Sequence, residues 1–342
     1  MDKGDIIIRN AIVHILDSTV GLPVLSDMEL DCGTDFNDFL REHIYRFFVS
    51  DDVKKCEFIK DESEVYSMIE EIKVGNIDFV TFSKALASKL YGIMNSNIEI
   101  PSADLFVVLF QINQVEHLAL LKMNYKESFM HGTNPNDNGG NANIITKYRA
   151  ILPTSTQKLS EAAVIKLEDS KIRLIEKKYD INGKKEDYFS KIFLNCSSNL
   201  SQKAKLNIVE RAIEQVQKEY YEDSERFEEK MKAKSAIHKE LSTQGSISIP
   251  EVVDKVFETK PDLKEKVKEK IEKYHINEEE IIAPKNEATT RKFEKQYLKT
   301  DTGIEIKIPM DQYNSTDTIE FISGDDGSIS VLIKNIGHIT SK

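Results

Sequence analysis

The sequence contains no tryptophan and only three cysteines, Cys32, Cys56 and Cys196, which lie far apart along its 342 residues. It has no C-x-x-C pair, and its cysteines and histidines never approach the spacing of a zinc site. An odd number of scattered cysteines does not form a disulfide framework. The sequence therefore indicates a reducing compartment and predicts no structural metal.

Long apolar segments are also missing. No stretch approaches 18 consecutive apolar residues, the length that a transmembrane helix requires. The first ten residues, MDKGDIIIRN, lack the basic segment and the apolar run of a signal peptide. We therefore expect no membrane contact and a cytoplasmic location.

Positive charge is scarce for a protein that would bind nucleic acid, since the net charge is −11. Residues 1–150 carry 14 basic and 23 acidic side chains, residues 151–300 carry 30 and 28, and residues 301–342 carry 3 and 7. Neutralising phosphates requires Lys and Arg. Any contact with nucleic acid must therefore depend on a local basic patch of an acidic protein.

The first half of the chain has the patterns of a sheet with helices inserted into it. Residues 6–16 and 22–30 are predicted as strands, and three segments between residues 34 and 90 repeat apolar side chains at helical spacing. Further strands are predicted over residues 105–112, 115–130, 144–152, 162–167 and 172–179, which together indicate an antiparallel meander.

Beyond residue 180 the pattern becomes helical. The helical spacing of five apolar residues forms a seam that a homodimer would also favour: Leu206, Val209, Ile213, Val216 and Tyr220. Two more helices are predicted to begin near Pro250 and at Pro261, because proline is favoured in the first turn. The last 50 residues return to strands, with a hairpin turn at residues 326–327.

These patterns predict an α+β protein of two domains, since 342 residues exceed what one hydrophobic core normally serves. Residues 1–180 would form an N-terminal antiparallel sheet with inserted helices. Residues 181–342 would form a C-terminal helical region that ends in a small antiparallel sheet. Residues 132–143, GTNPNDNGGNAN, are predicted as a mobile hairpin tip; no helix follows them, as a phosphate-binding glycine loop would require.

Several blocks of the sequence resemble a known family. Residues 291–309 read RKFEKQYLKTDTGIEIKIP and residues 327–336 read GSISVLIKNI. These blocks, together with the opening IRNAIVHIL strand and the FVVLFQINQVEHLALLKM hairpin, resemble bacterial nucleoid-associated proteins of the NdpA type. The resemblance implies association with the nucleoid and binding to double-stranded DNA without strong sequence preference. It implies no reaction and assigns no contact residues.

Two basic patches are candidates for contact with phosphates. One brackets the Asn182-Gly183 turn, and the other is predicted as one face of a helix that leads into the GIEIKIP strand. A solvated surface remains an alternative for both. The candidate residues are Lys177, Lys178, Lys184 and Lys185 in the first patch, and Arg291, Lys292, Lys295 and Lys299 in the second.

Two other nucleic-acid or partner functions stay open. Residues 250–258 and 261–274 have a helix-turn-helix layout, but the second helix interleaves Lys with Glu, which is typical of an ion-paired surface helix. The acidic N-terminal half also allows a protein–protein adaptor that recruits other nucleoid or DNA-handling proteins and has weak DNA affinity of its own.

Catalytic patterns are weak. Glu305-Ile306-Lys307 has the E-x-K form of a metal-dependent nuclease, but the chain contains five such triplets, close to the number that chance gives. No histidine pair has metal spacing, and no Walker A or Rossmann motif is present. We therefore expect no catalytic residues, no cofactor and no metal.

The non-catalytic interpretation predicts that Glu305→Gln leaves plasmid DNA as intact as the unmodified protein does. The measurement is gel electrophoresis of plasmid after incubation with either protein and Mg²⁺ or Mn²⁺. Metal-dependent cleavage by the unmodified protein that disappears in the variant would establish a nuclease instead.

Overall fold

The computed structural model describes residues 1–135, 141–313, 315, 317–324 and 328–340. The chain forms two compact units, Met1–Leu200 and Ser201–Lys342. The first is built around an antiparallel sheet with helices, and the second is helical with small antiparallel sheets near its end. The predicted α+β fold class is confirmed.

The first unit contains eleven strands and three α-helices among its described residues. The helices are α1 (Thr34–Phe48), α2 (Glu64–Lys73) and α3 (Phe79–Asn95). The strands are β1 (Ile6–Leu16), β2 (Lys54–Phe58), β3 (Ala103–Ile112), β4 (Val115–Asn124), β5 (Lys126–Pro135), β6 (Asn141–Ile151), β7 (Glu161–Lys166), β8 (Ile172–Ile175), β9 (Tyr179–Ile181), β10 (Lys184–Glu186) and β11 (Cys196–Ser198).

Seven of these strands form one sheet in the order β1-β3-β4-β7-β8-β2-β11, and every neighbouring pair is antiparallel. The predicted meander is present as β3, β4, β7 and β8. Residues 22–30 are not a strand: only Val24 forms an isolated bridge, to Ile15. The proline at position 23 lacks a backbone N–H and interrupts any continuous ladder there.

Strands β3 and β4 are apolar on both faces because helices cover both sides of the sheet. Leu105 and Val107 pack in a core with residues of α2 and α3, whereas Phe106 and Val108 pack in a second core with residues of α1. Side chains alternate between the two faces of a strand. A strand that is buried on both faces therefore has a continuous apolar run, as residues 105–110 do.

A charged pair interrupts this apolar interior. Lys122 on β4 lies directly opposite Glu161 on β7, both are fully buried, and their Nζ and Oε2 atoms are 3.8 Å apart. Lys122 also donates to the Pro101 carbonyl (3.1 Å) and to the Asn124 side chain, and Asn124 donates to Glu161 at 3.0 Å. Burial lowers the pKa of Lys122 to about 8, and the Glu161 charge opposes that shift.

The first unit extends beyond the predicted boundary at residue 180. Strand β11 pairs with β2, and Tyr188, Phe189 and Phe193 are buried in the same core as α2 and α3. Residues 181–200 therefore complete the N-terminal unit, although their local sequence has no strong strand periodicity. The structure divides the chain between Leu200 and Ser201 rather than near residue 180.

Strands β5 and β6 pair only with each other within the described residues and form a hairpin, here called the arm (residues 126–135 and 141–151). The predicted single strand over residues 115–130 is therefore two strands, which separate at Tyr125. Of the loop predicted over residues 132–143, both ends belong to β5 and β6, and residues 136–140 lie outside the described part of the chain.

The second unit consists mainly of helices. These are α4 (Gln202–Tyr220), α5 (Asp223–Gln244), α6 (Ile249–Phe257), α7 (Pro261–Glu272), α8 (Glu287–Glu294) and the short α9 (Met310–Tyr313). Its strands form three two-stranded sheets in the described ranges: β12 (Ile247–Ser248) with β13 (Ile281–Ile282), β14 (Lys295–Lys299) with β15 (Glu305–Pro309), and β16 (Ile319–Ser323) with β17 (Ile329–Ile333).

The predicted helix starts at the two prolines are confirmed, since α6 begins at Ile249 and α7 at Pro261. Strands β16 and β17 pair as an antiparallel hairpin, and the turn predicted at residues 326–327 lies outside the described residues.

The predicted dimer seam on α4 is not a free surface. Leu206, Val209, Ile213 and Val216 are at most 1% exposed, whereas Tyr220 at the end of the seam is 46% exposed. Helix α4 packs against α5 and α7 of the same unit. The chain's own helices therefore occupy the first four positions of the seam and leave only Tyr220 at its surface.

The buried Lys122–Glu161 pair predicts a steep cost for removing one partner. Glu161→Leu should lower the free energy of unfolding by about 3–5 kcal/mol, because it leaves the Lys122 ammonium buried without a counter-charge. Lys122→Met combined with Glu161→Leu should recover most of that loss, since an apolar pair has no charge to desolvate. Urea unfolding of the full chain measures both values, and equal losses in the single and double variants would contradict this account.

Candidate nucleic-acid interface

Strands β14 and β15 form a ribbon with one exposed face and one face turned toward the second unit. Along β14, Lys295, Tyr297 and Lys299 are exposed and alternate with half-buried Gln296 and Leu298. The burial of Ile308 on β15 orients its neighbours outward in the same way. The exposed side, called the ribbon face, consists of Lys295, Tyr297, Lys299, Glu305 and Lys307.

The register of the ribbon determines which of these side chains meet. Tyr297 lies directly opposite Lys307, and Lys299 opposite Glu305. The Lys307 Nζ is 5.4 Å from the centre of the Tyr297 ring, and Tyr297 is 67% exposed. The Lys299 Nζ is 3.2 Å from Glu305. The ribbon face thus carries three lysines and one carboxylate around an exposed aromatic ring.

Helix α5 supports the ribbon from behind. The Lys234 Nζ donates to the Lys295 carbonyl at 3.0 Å and to the Gln296 side chain at 2.8 Å. Burial lowers the pKa of Lys234. These bonds attach the start of β14 to a helix of the unit and so orient Lys295 outward.

The four basic residues predicted on one helical face do not form one. Helix α8 ends at Glu294, so Arg291 and Lys292 belong to the helix whereas Lys295 and Lys299 belong to β14. The segment leaves the helix because KQYLK pairs along its length with EIKIP. Helical and strand spacing both place Lys295 and Lys299 on one side, so charge spacing alone did not distinguish the two.

Three of these residues are engaged within the chain, and one of them is Lys299, which pairs with Glu305. Lys292 forms an ion pair with Glu210 on α4 and donates to Asn207 at 2.8 Å. Arg291 lies 3.7 Å from Glu287, and both side chains are well exposed. Lys292 therefore connects α8 to α4, whereas the structure describes no ion pair for Lys295.

The predicted patch of Lys177, Lys178, Lys184 and Lys185 belongs to the first unit and is assembled as expected around the β9–β10 hairpin. Asn182 and Gly183 have φ of 53° and 80°, the left-handed conformation that a two-residue hairpin turn requires at both positions. The structure describes no ion pair for exposed Lys184 and Lys185. The other two lysines have partners: the Lys178 Nζ is 3.3 Å from Asp187, and the Lys177 Nζ is 5.5 Å from the Tyr179 ring.

Helix α7 has the character of an ion-paired surface helix. Its lysines reach carboxylates elsewhere in the unit: Lys264 reaches Asp254 at 2.8 Å, Lys268 reaches Glu278 at 2.9 Å and Lys270 reaches Glu219 at 2.8 Å. Carboxylates at these positions would repel phosphates. The geometry favours this interpretation over a DNA-reading helix.

The Glu305-Ile306-Lys307 triplet takes part in cross-strand contacts. Glu305 pairs with Lys299, and Lys307 lies over Tyr297. Within the described ranges no three His, Cys, Asp or Glu side chains come together as a metal site would require. None of the helices in the described ranges combines the length and the apolar composition of a membrane-spanning segment.

A comparison with protein families identifies the chain. The family model described as nucleoid-associated protein YejK matches residues 12–339. The chain belongs to the nucleoid-associated protein YejK family. The match covers both compact units, so the predicted resemblance is confirmed and a nucleoid-associated role is supported. No curated protein matches the chain.

Sequence reasoning did not select Tyr297 and Lys307 as site residues. The signal was the alternation of Lys, Tyr and Lys in KQYLK, together with the period of two in EIKIP. Combining the two segments as a pair of strands would have placed the aromatic ring among the lysines.

Contact of the ribbon face with DNA would predict that Glu305→Gln increases the affinity, because Glu305 pairs with Lys299. The variant frees Lys299 and removes a negative charge from the ribbon face, so affinity at low salt should rise roughly two- to fivefold. Fluorescence anisotropy with a short duplex measures the change. Glu279→Gln, an exposed acidic position with the same change in charge, should have a smaller effect. Equal effects of the two substitutions would show that only net charge matters.

Proposed function

We propose that this protein binds double-stranded DNA in the cytoplasm, on the nucleoid, with little sequence preference and without catalysing a reaction. Its role would be accessory: it contacts phosphates through the ribbon face. Membership of the nucleoid-associated family supports this proposal. The ribbon face supports it independently, because its three lysines can neutralise phosphates and the exposed Tyr297 carries a hydroxyl that can donate to a phosphate oxygen.

The chemistry of the ribbon face fits non-specific binding. Lysine is a flexible point charge, whereas arginine provides the rigid bidentate geometry that reads guanine. All three cations of the ribbon face are lysines: Lys295 and Lys299 lie four residues apart on β14, and Lys307 lies on β15. Such a surface neutralises phosphates without selecting a base.

The acidic character of the chain limits how strong this binding is. Residues 1–200 carry 23 basic and 30 acidic side chains, and residues 201–342 carry 24 and 28. Long-range repulsion of DNA therefore acts against the ribbon face. We expect affinity to depend steeply on salt and to be modest at physiological ionic strength.

A salt titration of the full chain tests the proposal. Replacing Lys295, Lys299 and Lys307 together by Ala should weaken binding and flatten the slope of log K against log salt by roughly two to three units, because each lost phosphate contact contributes about 0.9. The control is a triple variant that removes the same amount of charge from lysines already held in ion pairs. Its substitutions are Lys264→Ala, Lys268→Ala and Lys270→Ala.

The control variant should change the slope by less than one unit. Equal slopes for the unmodified protein and the ribbon variant, with both proteins folded, would show that DNA is bound elsewhere or through a partner. The adaptor function would then be the better account. If the slope of log K against log salt flattens instead in the double variant Lys184→Ala, Lys185→Ala, the DNA-binding site lies on the β9–β10 hairpin.

A further inference from the structure

The arm is a two-stranded ribbon with almost all of its surface in solvent. Except for Gly132, Ala142 and Ile151, every arm residue whose burial is described is exposed. The exposed side chains include large apolar ones, among them Phe129 at 68% and Ile145 at 69%. A two-stranded ribbon on its own is marginally stable in water. A ligand that covers these side chains therefore stabilises the arm.

Cations and apolar side chains share one face of the arm. Residues directly opposite each other on paired strands lie on the same face. The register of this face pairs Phe129 with Lys147, His131 with Ile145, and Thr133 with Asn143. Glu127 forms an ion pair with Lys147 and lies 4.0 Å from the Arg149 Nε. Glu127, Arg149 and the three pairs are here called the cationic face.

The opposite face of the arm is apolar without being cationic. It contains Met130 opposite Thr146, and Ile144 opposite Gly132. From Ser128 outward this face has no charged residue among its described positions. The two faces therefore differ in charge although both expose apolar side chains, so one face provides matched control positions for the other.

The arm carries more basic than acidic residues, unlike the rest of the first unit. Residues 1–125 and 152–200 together carry 20 basic and 28 acidic side chains, whereas residues 126–151 carry three and two. Beyond Glu127 the described residues of the arm include no carboxylate. A strand of ten residues is roughly 33 Å long, about four times the screening length of physiological salt. The outer part of the arm therefore avoids most of the repulsion that the acidic sheet exerts on DNA.

The chemistry of the cationic face fits the minor groove of DNA. A two-stranded ribbon is one of the elements that enter DNA grooves. In the minor groove, Asn, Lys and Arg bond to acceptors, and apolar side chains such as Phe and Ile insert between base steps. Asn143, Lys147 and Arg149 provide the first kind of contact, and Phe129 and Ile145 the second. The acceptor pattern of this groove is nearly the same for all sequences, which agrees with low sequence preference.

The same face is poorly suited to a protein partner. The centre of a protein interface is depleted of charged residues, and lysine is rare there. On the cationic face, Lys147 lies directly opposite Phe129. A protein that covered Phe129 would have to desolvate this ammonium group, whereas the phosphates beside a DNA groove neutralise it. Charge therefore favours DNA as the ligand of this face.

We propose that the arm is a second DNA-binding element, which places its cationic face in the minor groove and bends the duplex. Phe129 and Ile145 insert between base steps, and Lys147 and Arg149 exchange Glu127 for phosphates. This role rests on the proposed function, since it requires that the protein binds double-stranded DNA. It adds a contact from the first unit and a change in the shape of the DNA.

Energy transfer between dyes at the two ends of a short duplex measures bending by the full chain. A kink of roughly 20–90° brings the dyes closer, so binding should increase the transfer. Phe129→Ser with Ile145→Ser should reduce that increase at least about twofold, because no side chain is left to insert. Met130→Ser with Ile144→Ser removes apolar surface from the opposite face and should leave the increase nearly unchanged. Thermal unfolding checks that both variants remain folded.

Competing ligands identify the groove that the arm enters. With an A·T-rich duplex, distamycin occupies the minor groove and should suppress the increase in transfer. Methyl green occupies the major groove and should leave the increase in place. Duplex with each ligand but without protein gives the baseline. At saturating protein, the ribbon variant should still bend the duplex, because its arm is intact.

The possible failures of the two proposals are distinguishable. Binding without any increase in transfer would overturn the role of the arm and leave the proposed function in place. Equal losses in the two serine variants would also overturn it, as would suppression by methyl green instead of distamycin. Bending that disappears in the saturated ribbon variant would assign it to the ribbon face. Failure of the unmodified protein to bind any duplex would refute the proposed function itself.

Discussion

The burial of strands β3 and β4 on both faces is the constraint on which the first unit depends. Neither face can be left to water, because each exposes a continuous row of Leu, Val and Phe. One face is covered by α1, and the other by α2 and α3 with the segment around Phe189. The chain covers both faces with helices inserted between the strands and with residues 181–200, which return to the sheet.

Local sequence patterns predict some elements of this fold, whereas elements that depend on long-range strand pairing are not predictable from them. The apolar run at residues 105–112 and the two prolines at helix starts act locally, so the meander and helices α6 and α7 follow from the sequence. Strand β11 is only three residues long and exists because β2 offers it an edge. No local pattern encodes that pairing, so the sequence alone does not reveal that the first compact unit extends to Leu200.

The candidate site was predictable in composition but only partly in geometry. Basic residues at 291–299 could be recognised from sequence, whereas their division between α8 and β14 could not, because their spacing fits both a helix and a strand. The decisive information is the pairing of KQYLK with EIKIP, which is a contact between distant residues. Contacts between distant residues also decide which lysines are engaged: Lys292 contacts α4, Lys299 pairs with Glu305, and Lys295 extends outward from the ribbon.

The buried Lys122–Glu161 pair affects which register strands β4 and β7 adopt during folding. Strands β4 and β7 are otherwise rich in Ala, Val, Leu and Ile, and a slip of two residues between them would keep every side chain on its original face. In such a slipped sheet Lys122 would face Ala163, and both charges would be buried without each other. The pair contributes little net stability compared with an apolar pair, but it makes the slipped alternative costly and so gives the sheet one alignment.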